Sequence, residues 1–346
     1  MRGFLLNQKV PSKPSEINSL EINPSHLLVV GLEKRKSKLL LRHFFLEPCP
    51  NSPEAVSSRL AALFTEESLI SKNVRIAFKG QGTVIRILTF PQMKKEDFAS
   101  AIRYEVEKYV PFKPDEIVFD FQILNENIDR GGARIMKVLI AAVKKTDIYQ
   151  MLKIFQNADL NVGFVGVGAL AVCNFIEVIS QKSQENSVGF LDMGWETTTV
   201  GVLRRGTVNF IREISFGGSD IIKPLKRKFG LEPEAILKLH QDPASLGAEH
   251  RAVLDESIQL FLTELKLSLA YYSDHVNDAE PLQSFLVTGT GTRYLTGLDF
   301  LKSELKIPVN RPDIFSQLEI YEKLDEKLIR DSEDLLPLPL GLSLRP

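Results

Sequence analysis

Asp192-Met193-Gly194-Trp195-Glu196-Thr197-Thr198-Thr199 carries residue types that handle phosphate. An acid at the end of a buried strand can hold a metal-bound water. A glycine two residues on lets backbone approach an anion, and threonine hydroxyls on the return strand add donors. A polar β-hairpin with a glycine turn would use the same residues, so the segment alone does not decide. Two more glycine turns follow strands: Phe216-Gly217-Gly218, opening a helix, and Thr288-Gly289-Thr290-Gly291. Bare amides at such turns can face an anion. Asp192, Gly194, Thr197, Thr198, Gly217, Gly218, Gly289 and Gly291 therefore form a candidate nucleotide site.

Positioning these residues takes a repeated α/β framework. Leu27–Leu32 reads as a buried strand, Glu33–Lys38 as a charged turn and Leu39–Leu46 as a second strand. Asn51-Ser52-Pro53 caps a helix to about Thr65, and Val74–Lys79 is a further strand. Val188–Leu191, Thr197–Leu203 and Val208–Ser215 repeat the opening, followed by a helix from Gly217. The repeat distance of about 160 residues predicts two lobes sharing a cleft. Between the copies, Thr83–Val165 reads strand, helix, strand, strand, helix: a small α+β module. Glu232–Gln241 and Ala248–Val276 are helices, Phe285–Thr288 a strand, and Leu336–Leu344 a final strand or helix. The expected division is a flexible arm over 1–25, a first lobe over 26–82 and 166–187, an insert over 83–165, and a second lobe over 188–346 with a helical insert near 231–280.

Composition narrows the function. The chain has 346 residues, 44% hydrophobic and 25% charged, with net charge −1. Two domains with their own cores fit that length, and the charge balance gives no electrostatic case for nucleic acid. Cys49 and Cys173 are the two cysteines, so no disulfide framework is legible. The most apolar window, Phe164–Ile176, is broken by Gly166, Gly168 and Asn174 and is shorter than the ~18 residues a span needs. Membrane attachment is therefore expected through a partner. The five histidines show no metal-ligand spacing.

Several motifs together resemble the PilM-type actin-like proteins that assemble type IV pili. They are Tyr104-Glu105-Val106-Glu107-Lys108-Tyr109-Val110-Pro111-Phe112, Asp115-Glu116, Asp120-Phe121, the Asp192-x-Gly194 turn and Phe216-Gly217-Gly218. Phe229-Gly230-Leu231, Ser268-Leu269-x-Tyr271-Tyr272 and Gly341-Leu342-Ser343-Leu344-Arg345 follow in the same order. The resemblance implies an actin-like α/β fold, with duplicated ribonuclease-H-like lobes around a nucleotide cleft and the insert as a small subdomain. It also implies a cytoplasmic scaffold at the inner face of the inner membrane. Such a scaffold binds the cytoplasmic N-terminus of a PilN-like membrane protein, with self-association into a ring as a further expectation. Tyr109, Pro111 and Phe112 would either line a peptide groove or pack in a core.

Departures from the family pattern bear on catalysis. Relatives open the first lobe with an Asp-x-Gly turn; the matching positions are read here as Gly31 and Glu33, so that carboxylate is absent. Gly166 and Gly168 stand where relatives carry acids, and Leu267 where an Arg would stack on adenine. Metal-assisted hydrolysis needs opposed carboxylates, of which this reading leaves only Asp192. The expectation is a scaffold without hydrolysis, binding nucleotide, ATP or ADP with Mg2+, weakly or not at all. An actin-fold ATPase or kinase and a type II secretion component are the alternatives. A filament former similar to FtsA would call for a terminal amphipathic membrane helix, which Leu344-Arg345-Pro346 does not supply.

Overall fold

Asn23-Pro24-Ser25 is a turn between two paired strands, which places ordered chain well before His26. The computed structural model describes residues 16–344 except 36–37, 67–70, 81, 181–186, 242–246, 277 and 296. Most of the expected arm, the linker Lys182–Asn186, Lys36 of the charged turn and the terminal Arg345-Pro346 lie outside them. By internal contacts the chain forms two units, 1–175 with 315–331 and 338–346, and 176–314 with 332–337.

In the first unit, β1 (Glu16–Asn23), β2 (His26–Lys34) and β3 (Leu39–Glu47) pair antiparallel in sequence. α1 (Pro53–Glu66) follows, with the Ser52 hydroxyl accepting from the Ala55 amide and Pro53 in the first turn, as the capping signal predicted. β4 (Asn73–Phe78) then pairs parallel with β1. The insert is β5 (Thr83–Pro91), α2 (Lys95–Glu105), β6 (Ile117–Arg130) and β7 (Ala133–Lys144), a sheet in the order β5-β7-β6. Its own core joins Phe98, Ile102 and Val106 to Val138, Ile140 and Ala142. The turn-rich stretch 125–132 is mostly strand, because the hairpin continues to a tip at Gly131 and Gly132, both at positive φ.

The insert ends at Lys144, not at 165. Phe155 and Ala158 of α3 (Lys145–Asn157) and its C-cap share a core with Val56, Leu60 and Phe64 of α1. β8 (Asn161–Val167) pairs parallel with β4 as part of the first sheet, and α4 (Gly168–Ser180) follows.

In the second unit β9 (Ser187–Met193), β10 (Thr198–Arg204) and β11 (Thr207–Ile214) again form an antiparallel meander. α5 (Gly218–Phe229), α6 (Pro233–Gln241) and α7 (Ala248–His275) follow, then β12 (Ser284–Thr288), α8 (Asp299–Leu305) and β13 (Val309–Asn310). The sheet runs β11-β10-β9-β12-β13. That is the order β3-β2-β1-β4-β8 of the first sheet, so the predicted duplication is present and β1 is the counterpart of β9.

The C-terminal residues correct the division at 188–346. β14 (Leu318–Ile320) pairs parallel with β3, and α9 (Glu326–Arg330) follows it in the first unit. Leu338, Leu340 and Leu342 of α10 (Pro337–Leu344) are buried, the Arg75 guanidinium donates to the Leu342 carbonyl at 2.9 Å, and the Ser19 and Ser343 hydroxyls lie 2.9 Å apart. The final segment is therefore a helix of the first unit. The apolar window Phe164–Ile176 is divided between β8 and α4, and no helix among the described residues is long and apolar enough to cross a membrane.

α10 approaches α4 closely at Gly341, where an added Cβ would overlap the Ala171 carbonyl. Overpacking of a tight contact destabilises, so Gly341→Ala should lower stability by about 2 kcal/mol in urea unfolding. An unchanged midpoint would show that the helices can part without loss.

Candidate functional site

β9 is buried along its length, and Asp192 near its end is 5% exposed, paired with Thr199 of β10 and Thr288 of β12. The Gly194 amide closes the turn by donating to the Thr197 carbonyl at 2.8 Å. The start of α5 docks on that turn: the Gly218 amide donates to the Gly194 carbonyl at 3.0 Å and the Ser219 amide to the Trp195 carbonyl at 2.8 Å. The Gly217 amide donates to the Asp220 carboxylate at 2.9 Å, and the Thr198 hydroxyl to the Phe216 carbonyl at 2.7 Å.

The third turn joins them. Gly289 has φ +98°, and a Cβ there would sit 2.5 Å from an Asp192 carboxylate oxygen. A Cβ at Gly291 would sit 2.6 Å from the Gly194 carbonyl, and one at Gly217 2.5 Å from the Trp195 carbonyl. The Asp334 carbonyl accepts from the Gly289 amide and the Thr288 hydroxyl, both at 3.1 Å. The Asp334 carboxylate holds Arg293 at 2.6 and 2.8 Å. All eight residues picked from the sequence thus converge, and the glycines let three backbones touch. Several amides that could face an anion donate instead to the neighbouring turn. Trp195 packs edge-to-face on Tyr294 at 5.9 Å.

The first unit holds the counterpart turn at a place the sequence reading missed. Because β1 matches β9, Glu21-Ile22-Asn23 stands where Asp192-Met193-Gly194 stands in the second sheet. A carboxylate is therefore present at this turn. Gly31 and Glu33 instead lie inside β2, at a bulge, where the Arg42 hydrogen bonds hold the Glu33 carboxyl below its usual range. The signal available in the sequence was the match of Leu20-Glu21-Ile22-Asn23 to Leu191-Asp192-Met193-Gly194. The surrounding Pro, Ser and Asn residues hid it, since they read as loop.

Glu21 is buried, with Lys79 donating to it at 3.0 Å and His26 Nε2 3.9 Å away. Burial pushes its carboxyl up, but the Lys79 charge and the nearby His26 outweigh this, and the pKa falls from 4.5 to about 2. Pro24 has no N–H. The Ser25 amide and hydroxyl both meet the Asn23 side-chain oxygen at 3.0 Å, closing the turn on itself.

On the insert, Tyr109 and Phe112 are half-buried against its core. Tyr109 meets Phe90 edge-to-face at 5.4 Å, and Lys144 lies 4.8 Å from the Phe112 ring centre. Pro111 between them is exposed.

Two sheets of one strand order, each with a turn ending its central strand and a helix start or lysine packed on it, define an actin-like α/β protein. The family model for the type IV pilus assembly protein PilM matches residues 20–346, and the chain belongs to that family. The fold is similar to the solved PilM-PilN type IV pilus biogenesis complex at TM-score 0.84, with 20% identity and coverage of 96% of this chain and 100% of that one. It is also similar to the ethanolamine utilization protein EutJ from Carboxydothermus hydrogenoformans at TM-score 0.56, with 13% identity over 97% of this chain and 91% of that one. The cell division protein FtsA of Streptococcus pneumoniae serotype 2 (strain D39 / NCTC 7466) is 20% identical over 242 residues, 65% of this chain and 52% of that protein. The match thus spans about half the length of that curated relative.

Two outcomes follow from this geometry. Gly289→Ala forces a Cβ against Asp192 at a left-handed φ, and should lower the thermal midpoint as a loss of about 2 kcal/mol would. The lowered Glu21 pKa makes its contribution complete above pH 4.5 and lost as pH falls toward 2, because the unfolded chain takes up the proton first. That contribution amounts to roughly 3 kcal/mol at most. Urea midpoints measured down this range should fall more steeply for the native chain than for Glu21→Gln, whose plateau lies lower because Lys79 loses its counter-ion. Parallel pH profiles would refute this.

Proposed function

We propose that this chain is a scaffold of a type IV pilus assembly machine that captures the N-terminal tail of a PilN-like membrane-anchored protein and does not hydrolyse ATP. The observation that carries the partner is the likeness, over 96% of the chain, to a structure of a PilM-PilN complex. Attachment to the inner face of the inner membrane would then come from the partner. The insert is the part we assign to the tail. It offers exposed Pro111 between two half-buried aromatics, a surface on which a short, partly apolar segment can order.

The turns support the absence of hydrolysis. Phosphoryl transfer through a metal needs carboxylates able to take the cation and unshared N–H donors for the phosphates. Glu21 is committed to Lys79, Pro24 offers no donor and the Ser25 amide is tied to Asn23. In the second unit the helix-start amides donate to the Gly194 and Trp195 carbonyls. This donor set does not fit a metal-bound triphosphate.

Fluorescence anisotropy with labelled N-terminal peptides of neighbouring membrane-anchored proteins should find one that binds, and Phe112→Ala should weaken it about tenfold, or ~1.4 kcal/mol. Binding to none would sink the partner assignment. Mg-ATP should leave the melting temperature in place, whereas a native-state ligand at ~100 times its Kd adds roughly 2.7 kcal/mol. A large shift with steady phosphate release would overturn the non-hydrolysing reading.

A further inference from the structure

Four residues of the first unit meet where a metal-binding turn would stand: Glu21 at the end of β1, His26 at the start of β2, Lys79 just after β4 and Gly168 at the start of α4. The Lys79 stem crosses over Gly168 so closely that a Cβ there would lie 2.9 Å from its Cε and 3.3 Å from its Cδ. Its ammonium ends 3.0 Å from Glu21, whose side chain is 6% exposed. His26, 6% exposed, points Nε2 toward the same carboxylate from 3.9 Å, and that nitrogen has no hydrogen-bond partner.

We infer that the Lys79 ammonium is a tethered cation standing in for a bound divalent metal beside Glu21, with Gly168 left bare so that the lysine stem can reach it. A buried carboxylate requires a positive partner whatever its source. In an open turn that partner can be a metal ion brought by a ligand. Here it is covalently part of the chain, so the site is always charged and always filled. An ammonium supplies one point charge and three donors but, unlike a metal ion, accepts no lone pair and does not activate a bound water. The turn keeps the acid of a metal site while its occupant serves only structure. The Glu21 oxygens and the unpartnered His26 nitrogen are a ligand pair of the kind manganese accepts, once the ammonium is withdrawn.

The inference shares the first-unit turn with the non-hydrolysing reading and is independent of tail capture. Its test uses the full chain as native protein, Lys79→Ala, Lys79→Arg and the charge-free pair Glu21→Gln/Lys79→Met, each melted in EDTA and in millimolar Mn2+. The native chain and Lys79→Arg should melt alike in both buffers. Lys79→Ala should melt lower in EDTA and recover by several degrees in Mn2+. The charge-free pair should melt above Lys79→Ala in EDTA and ignore the metal. The inference is overturned by a native chain that Mn2+ stabilises, or by a Lys79→Ala variant as stable as native in EDTA. A folded Lys79→Ala without metal response also overturns it. Should Lys79→Ala not fold in EDTA, the charge-free pair must fold; if it stays unfolded, charge compensation is refuted. Steady phosphate release from Mg-ATP by the native chain would separately overturn the non-hydrolysing reading, and a failed peptide titration would leave these melts unaffected.

Discussion

A carboxylate buried at the end of a central strand must have a cation beside it, and much of the first unit is arranged around that constraint. Glu21 lies on β1, a strand paired with β2 on one side and, over Asn18–Leu20, with β4 on the other, and its side chain is buried there. Lys79 answers its charge from the end of β4, and the start of α4 is glycine where the lysine passes. Two other polar residues of β1 are likewise met from far along the chain. The Asn18 amide donates to the Ser71 carbonyl, and the Ser19 hydroxyl meets Ser343 in the last helix. Each such group would be destabilising if left unpartnered.

Duplication lets one turn be read against the other. Both sheets end their central strand in an acid followed by an apolar residue and a turn residue. Their polar groups are satisfied by different means. In the second unit three glycine turns pack backbone on backbone, with the Gly218 and Ser219 amides donating to the Gly194 and Trp195 carbonyls and the Gly289 amide to the Asp334 carbonyl. In the first, a proline removes one donor, an asparagine side chain takes the next, and a lysine neutralises the acid.

Much of the fold was legible because local signals and tertiary structure agree. The cap at Ser52-Pro53, the apolar runs of β2, β9 and β10, the helical stripe of α7 and the glycines of the second-unit turns all carry their meaning in neighbouring residues. The eight-residue cluster was legible for the same reason. Errors fell where meaning depends on distant chain. β1 reads as loop because its buried Asn18 and Ser19 find partners 53 and 324 residues away. α3 reads as part of the insert until its apolar face is seen to pack on α1.

The sequence by itself determined the family, the α/β repeat, the boundaries of most strands and helices, and the cluster around Asp192. These rest on spacing, turn chemistry and periodicity, which act over a few residues. Only the tertiary structure decided that the C-terminal segment returns to the first unit. It also decided which residues form the first-unit turn and that its acid is Glu21. Pairing of a central strand depends on both neighbours at once, and a buried charge is explained by whichever cation lies beside it in space. The loss inferred at Gly31 and Glu33 thus becomes a carboxylate at Glu21, retained and answered by Lys79.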